Sequence, residues 1–110
     1  MAEPLAVKRI LVVDDNPRVL RVMVRILRRA GYEPIGAGRV QDARAVPGPL
    51  AAMVVDIGLP NGEPKHVQDA HPGIPMLTVS GDHAKAPGLR KPFFSGDLVQ
   101  AVQALIGGSG

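Results

Sequence analysis

Polar side chains that could handle a phosphoryl group stand directly behind apolar, β-branched runs in this sequence. Asp14 and Asp15 follow R-I-L-V-V (9–13), and Asp56 closes L-A-A-M-V-V-D (50–56). Ser80 closes I-P-M-L-T-V-S (74–80), and Lys91 follows a brief run near Leu89. Three carboxylates gathered at neighbouring strand ends repel one another by roughly 3 kcal/mol per pair at about 5 Å and an effective dielectric near 20. Either their pKa values rise or a cation sits among them. Oxygen-only ligands on a water-accessible rim suit Mg²⁺, which keeps several waters and often bridges to phosphate. A dication beside a carboxylate, a lysine and a hydroxyl makes a phosphoryl-transfer site. The metal and Lys91 would neutralise charge on the transferring group, and Ser80 would donate a hydrogen bond to it. A carboxylate nucleophile gives an aspartyl-phosphate.

That chemistry requires elements that bring distant segments to one edge. The run Arg9 to Val13 has the pattern of a buried central strand. Asn16 supplies an N-cap and Pro17 a first helical position. Val19, Met23, Ile26, Leu27 and Ala30 then recur on one helical face until Gly31 stops the helix. A second strand is expected over Glu33 to Ala37, and a short helix over Arg39 to Val46, ended by Pro47-Gly48-Pro49. Leu50 to Asp56 is the third strand, Glu63 to Ala70 a weak helix begun by Pro64, and Ile74 to Ser80 the fourth strand. A brief fifth strand lies near Leu89. A last helix, capped by Ser95, turns Leu98, Val102, Leu105 and Ile106 inward. Alternating strands and helices imply an α/β fold with a parallel sheet covered on both faces. Sites in such sheets form at the carboxyl ends of the strands, which is where the polar residues fall.

The composition narrows the classes. At 110 residues the chain is one domain with a modest core, expected over 1–106 with a flexible Gly-Ser tail at 107–110. Aromatic residues make up only 3% and Trp is absent, so the core must be aliphatic. There is no cysteine, which excludes disulfides and thiolate metal sites. No apolar run has membrane-spanning length and no signal pattern opens the chain, so a cytoplasmic location is expected. The net charge of +3 is uneven: nine basic residues face four acids between Lys8 and Arg44.

The segments I-L-V-V-D-D-N-P (10–17), M-V-V-D-I-G-L-P (53–60), I-P-M-L-T-V-S-G (74–81) and G-L-R-K-P-F (88–93), in this order, resemble the receiver domains of response regulators and of hybrid histidine kinases. The resemblance spans nearly the whole chain and implies a flavodoxin-like, doubly wound, five-stranded parallel sheet. It also implies that Asp56 accepts a phosphoryl group from a phosphohistidine. Asp15 would bind Mg²⁺ directly and Asp14 directly or through water, with Asp56 and the Gly58 carbonyl completing the protein ligands. Ser80 and Lys91 would contact the phosphoryl oxygens, and Lys91-Pro92 would be a cis peptide. Such a domain is no enzyme in the ordinary sense, promoting only its own phosphorylation and dephosphorylation.

The sequence departs from that pattern in two places. Only eleven positions separate Ser80 from Lys91, and D-H-A-K-A-P-G (82–88) holds at most one helical turn before Pro87 breaks it. The fourth helix is therefore expected to be missing or reduced to a turn, and the third to be short. Gly88 also stands where the family usually carries an aromatic switch residue. A phosphorylation-independent interaction module, a degenerate receiver, is the alternative. A metal-dependent phosphatase would need an Asp-x-Asp motif and a cap domain, which are absent.

Arg18, Arg21, Arg25, Arg28 and Arg29 fall largely on the side of the first helix opposite its apolar face. In the resembling family this helix docks the kinase or histidine phosphotransfer bundle, with Arg18 and Arg21 nearest the acceptor edge. A solvated face is the plainer explanation for Arg28 and Arg29. Nucleic acid is disfavoured, because no aromatics interleave with the basic residues. His66, His71 and His83 lack zinc spacing and are expected at the surface. Gly36-Ala37-Gly38 lacks the third glycine of a dinucleotide fingerprint and is discounted.

Overall fold

A computed structural model describes residues 7–60, 62–80, 89–90 and 95–107. The elements run β1 (Arg9–Val13), α1 (Pro17–Arg29), β2 (Glu33–Ala37), α2 (Val40–Ala45), β3 (Ala52–Asp56), α3 (Pro64–Ala70), β4 (Met76–Ser80), β5 (Leu89–Arg90) and α4 (Ser95–Gly107). The sheet order is β2-β1-β3-β4-β5 and every pairing is parallel. This is the flavodoxin-like arrangement, in which the strand order reverses between β1 and β3.

The expected five-stranded sheet, with its brief last strand, has only four strands of ordinary length. Four strands have five residues each, whereas β5 is a two-residue edge segment pairing only Leu89 with Val79 and Arg90 with Ser80. Two paired residues are too few to make a strand of ordinary length. Two starts are also later than expected. Leu50 and Ala51 lie before β3, and Ile74 and Pro75 before β4. Pro75 has no N–H to give a ladder, although its carbonyl accepts from Met53 N at 2.9 Å. The 81–88 segment between β4 and β5, on which the fourth-helix expectation rests, lies outside the described residues. The third helix is short, at seven residues.

Side-chain alternation divides the core into two aliphatic layers. Ile10, Val12, Ala52, Val54 and Val79 pack with Met23 and Leu27 of α1 and Leu98 and Val102 of α4. Leu11, Val13, Met53 and Val55 face the other way, onto Val40 and Ala43 of α2 and Val67 of α3. Both faces are covered, which explains why β1 and β3 are apolar at nearly every position. Leu105 and Ile106 are partly buried against the first layer as expected, while Ala30 is exposed at the end of α1.

Capping sets the limits of α1. The Asn16 side chain accepts from the backbone N–H groups of Arg18 at 2.9 Å and Val19 at 3.3 Å. At the other end Gly31 has φ +99°, a left-handed conformation that favours glycine. Gly31 N donates to the Arg28 carbonyl and Tyr32 N to the Leu27 carbonyl, both at 3.1 Å, the paired bonds of a Schellman motif.

Side chains tie the connections down. One Arg9 nitrogen donates to the carbonyls of Pro47 at 2.8 Å and Pro49 at 3.0 Å, fixing the α2–β3 loop around the cis Gly48-Pro49 bond. Arg44 donates to the His66 carbonyl at 2.9 Å and so joins α2 to α3. The histidines depart from the surface expectation. His71 is buried, with Nε2 donating to the Ala43 carbonyl at 2.9 Å, and His66 Nδ1 accepts from Glu63 N at the start of α3. His66 serves the first turn of α3 and His71 a bond across to α2, neither of which zinc spacing tests; His83 lies outside the described residues.

At Gly62 an added Cβ would lie 2.8 Å from a methyl group of Val40 and 3.1 Å from its Cβ. Val40 is buried and stiff at χ1, so it cannot swing away cheaply. Gly62→Ala should therefore lower urea-unfolding stability by about 1–3 kcal/mol. Gly96→Ala, which meets nothing within 4 Å, should not lower it.

Candidate functional site

The register of β1 and β3 builds the site. Val13 pairs with Val55, so the next residues, Asp14 and Asp56, leave adjacent parallel strands side by side at the point where the strand order reverses. The ladder continues past the strands: Asp14 N donates to the Ala37 carbonyl at 3.1 Å and Ile57 N to the Val79 carbonyl at 2.9 Å. The backbones that carry the two acids are therefore held on both sides.

Asp14 is fully buried, Asp56 is 6% exposed and Asp15 is open to solvent. Carboxylate oxygens of the three residues lie within 4.8 Å of one another. Asp14 Oδ1 accepts the N–H of Asn16 at 2.9 Å, and this bond turns the chain from β1 into α1. Asp56 Oδ1 accepts the N–H of Gly58 at 3.2 Å, which folds the loop after β3 back over the acid. An added Cβ at Gly58 would sit 3.8 Å from the same oxygen, so the backbone at 58 lies beside the carboxylate.

Ser80 ends β4, is 5% exposed, and follows Val79, the register partner of Asp56. It reaches the same rim as the acids. Lys91 and the Lys91-Pro92 peptide lie outside the described residues, as does Gly88. Arg18 and Arg21 are exposed in the first turns of α1, on the side of the molecule where Asp14 and Asp15 enter that helix.

Three negative charges at this spacing cost about 3 kcal/mol per pair near the protein surface. A hard cation offsets that cost directly. The donor set fits one: it contains only oxygen, two of its acids are buried and fixed by backbone N–H groups, and the third opens to water.

Sequence reasoning overlooked the second role of Asn16, whose backbone N–H orients Asp14 while its side chain caps α1. The adjacent order D-D-N-P was the available signal, since an acid two residues before a helix start commonly accepts such a bond. The role of Gly62 carried no such signal, because its neighbour Val40 comes from another element.

No protein-family model matches the sequence. A curated relative, "Response regulator receiver protein Anae109_2439" of Anaeromyxobacter sp. (strain Fw109-5), is 27% identical over an alignment of 129 positions covering 96% of this chain. The chain spans about half of that relative, 54% of its length. The alignment is longer than the chain, so it contains gaps on this chain's side. The fold matches a response regulator receiver protein from Sinorhizobium medicae WSM419 with TM-score 0.83 and 23% identity, over 96% of this chain and 99% of that one. It also matches the receiver domain of the hybrid histidine kinase CckA, with TM-score 0.76 and 25% identity, over 89% and 98% of the two chains.

Asp56→Asn retains an oxygen for the Gly58 N–H and removes one charge from the trio. In EDTA this variant should unfold at higher urea than the parent, by about 1–3 kcal/mol of stability. Asp69→Asn, at an exposed acid outside the trio, should change stability less.

Proposed function

We propose that this chain, which is similar to response regulator receiver proteins and to a hybrid histidine kinase receiver domain, accepts a phosphoryl group on Asp56 from a phosphohistidine donor. The observation that carries this reading is the convergence of Asp14, Asp15 and Asp56 within 4.8 Å at the β1/β3 switch point. A role in two-component signalling follows from the neighbours; the acceptor, the metal and the donor are inferences from the site.

Asp14, Asp15, Asp56 and the Gly58 carbonyl would hold Mg²⁺. When bound, that ion supplies positive charge against the phosphoryl oxygens and relieves the repulsion among the acids. The remaining work belongs to the chain. Asp14, locked by Asn16, keeps its carboxylate directed into the site. An Asp56 oxygen attacks phosphorus as the bond to the donor imidazole nitrogen breaks, leaving an acyl phosphate on Asp56 and a neutral histidine once the nitrogen is protonated. The Ser80 hydroxyl donates to a phosphoryl oxygen, and Lys91 neutralises another. Return of the phosphoryl group to water or to a second histidine reverses the modification, so the domain acts on itself alone and is not an enzyme with a separate substrate.

The donor would be a sensor histidine kinase or a histidine phosphotransfer protein meeting the acceptor edge through Arg18 and Arg21. Its cytoplasmic setting is part of the same proposal. Among the described residues no helix is long and apolar enough to cross a membrane. Residues 1–106 would form the receiver, although α4 extends one residue further, to Gly107.

Incubation with Mg²⁺ and acetyl phosphate should add about 80 Da, the mass of one phosphoryl group, to the intact protein. Asp56→Asn should abolish the gain, and Asp15→Asn or EDTA should reduce it severely. A folded protein that neither gains mass nor binds Mg²⁺ would instead be a degenerate receiver working as a phosphorylation-independent interaction module.

Thermal unfolding gives a separate check. Mg²⁺ at 100 times its Kd should stabilise the parent by about 2.7 kcal/mol. The same addition to Asp56→Asn should give a much smaller shift.

A further inference from the structure

Val40 opens α2 with a side chain that has no polar atom, yet it lies between two connections that serve the acid trio. The first runs from β2 into α2. Asp14 N donates at 3.1 Å to the carbonyl of Ala37, which stands shortly before Val40 in the chain. The backbone at Gly38 then passes beside the carbonyl of Asp14, where an added Cβ would lie 3.9 Å from the oxygen. The start of α2 is therefore tied to the strand end that carries Asp14.

The second connection runs from β3 into α3 and carries Gly58. Ile57 N fastens it to the Val79 carbonyl, and Gly58 N fastens it to Asp56 Oδ1. Leu59 is buried in the same aliphatic layer as Val40, Val55 and Val67. Gly62 then lies against Val40 itself: an added Cβ would fall 2.8 Å from one γ-methyl and 3.1 Å from the other. From Leu59 to Gly62 the chain can reach at most about 11 Å. A tether this short passes a shift at Gly62 on to Leu59 and Gly58.

Val40 is buried and, being branched at Cβ, stiff at χ1, so it presents a fixed surface to its neighbours. We infer that Val40 is a positioning residue for the acid trio: its two methyls, wedged against Gly62, set where the Gly58 segment sits relative to Asp14. The inference rests on the proposed reading of this edge as a Mg²⁺-holding acceptor site. Val40 offers no ligand atom, so it acts on metal binding through placement alone.

The test measures Mg²⁺ affinity of the full chain by titration calorimetry, with folding of each variant checked by circular dichroism. Val40→Ala removes both methyls, and Gly62→Ala pushes against them. Each should weaken Mg²⁺ binding by about tenfold. In the double variant Val40→Ala, Gly62→Ala the new Cβ enters the space the methyls leave, so affinity should return towards that of the parent. Urea unfolding in EDTA should show the same non-additivity without any metal. Val40→Thr keeps the branched shape and should bind as the parent does, although its hydroxyl lowers stability. Val102→Ala opens the other core layer, on α4, and should leave the affinity unchanged while also lowering stability. The inference is overturned if Val40→Ala binds Mg²⁺ as tightly as the parent, or if Val102→Ala weakens binding equally. Additive effects in the double variant overturn it too. Should Val40→Ala fail to fold, Val40→Leu, which keeps apolar volume but moves the branch away from Cβ, is read in its place. A parent that binds no Mg²⁺ sinks the proposed function and this inference together. A parent that binds it, with every variant alike, sinks the inference alone.

Discussion

Mutual repulsion among three carboxylates is the constraint around which the acceptor edge is organised. Asp14 and Asp56 would separate if their backbones were free. They do not, because β1 and β3 are paired in parallel from Ile10 with Ala52 through Val13 with Val55, and ladder bonds extend beyond each strand end. The hydrophobic layers on both faces of the sheet supply the favourable free energy that holds those strands. The acids thus occupy a place dictated by the core, and their repulsion becomes an affinity for positive charge.

The aliphatic composition suits this arrangement. Val, Ile, Leu, Met and small Ala fill two thin layers without aromatic rings, and the parallel strands, buried on both faces, read as continuous apolar runs. With so little aromatic mass, the connections need their own fastenings. Arg9 gathers the loop before β3, Arg44 and His71 lock α2 to α3, and Gly62 allows the loop after Asp56 to pass close to Val40. These contacts keep the elements behind the site from sliding relative to one another.

Helix α1 ties the core to the acceptor edge. Its inner face packs Met23 and Leu27 against the sheet, its first turn is set by Asn16 beside Asp14, and its outer face presents exposed arginines. Arg28 and Arg29 in its last turn interact favourably with the helix dipole.

Much of this molecule was legible in the order of its residues. Apolar runs ending in Asp14, Asp56 and Ser80 disclose strands and a common rim, Asn16-Pro17 discloses the start of α1, and Gly31 its end, because these signals are local in backbone chemistry. Element edges were less legible: a continuous apolar run does not reveal that Leu50 and Ile74 precede the ladder, which depends on which N–H groups find partners. The burial of His71 and the crowding at Gly62 were invisible, since both depend on residues from α2, more than twenty positions away in the chain. The actual closeness of the three carboxylates, and the two-residue extent of β5, were decided only when the strands took their register. Sequence determines which groups are available and how each segment prefers to fold. Packing between segments decides which of those groups meet.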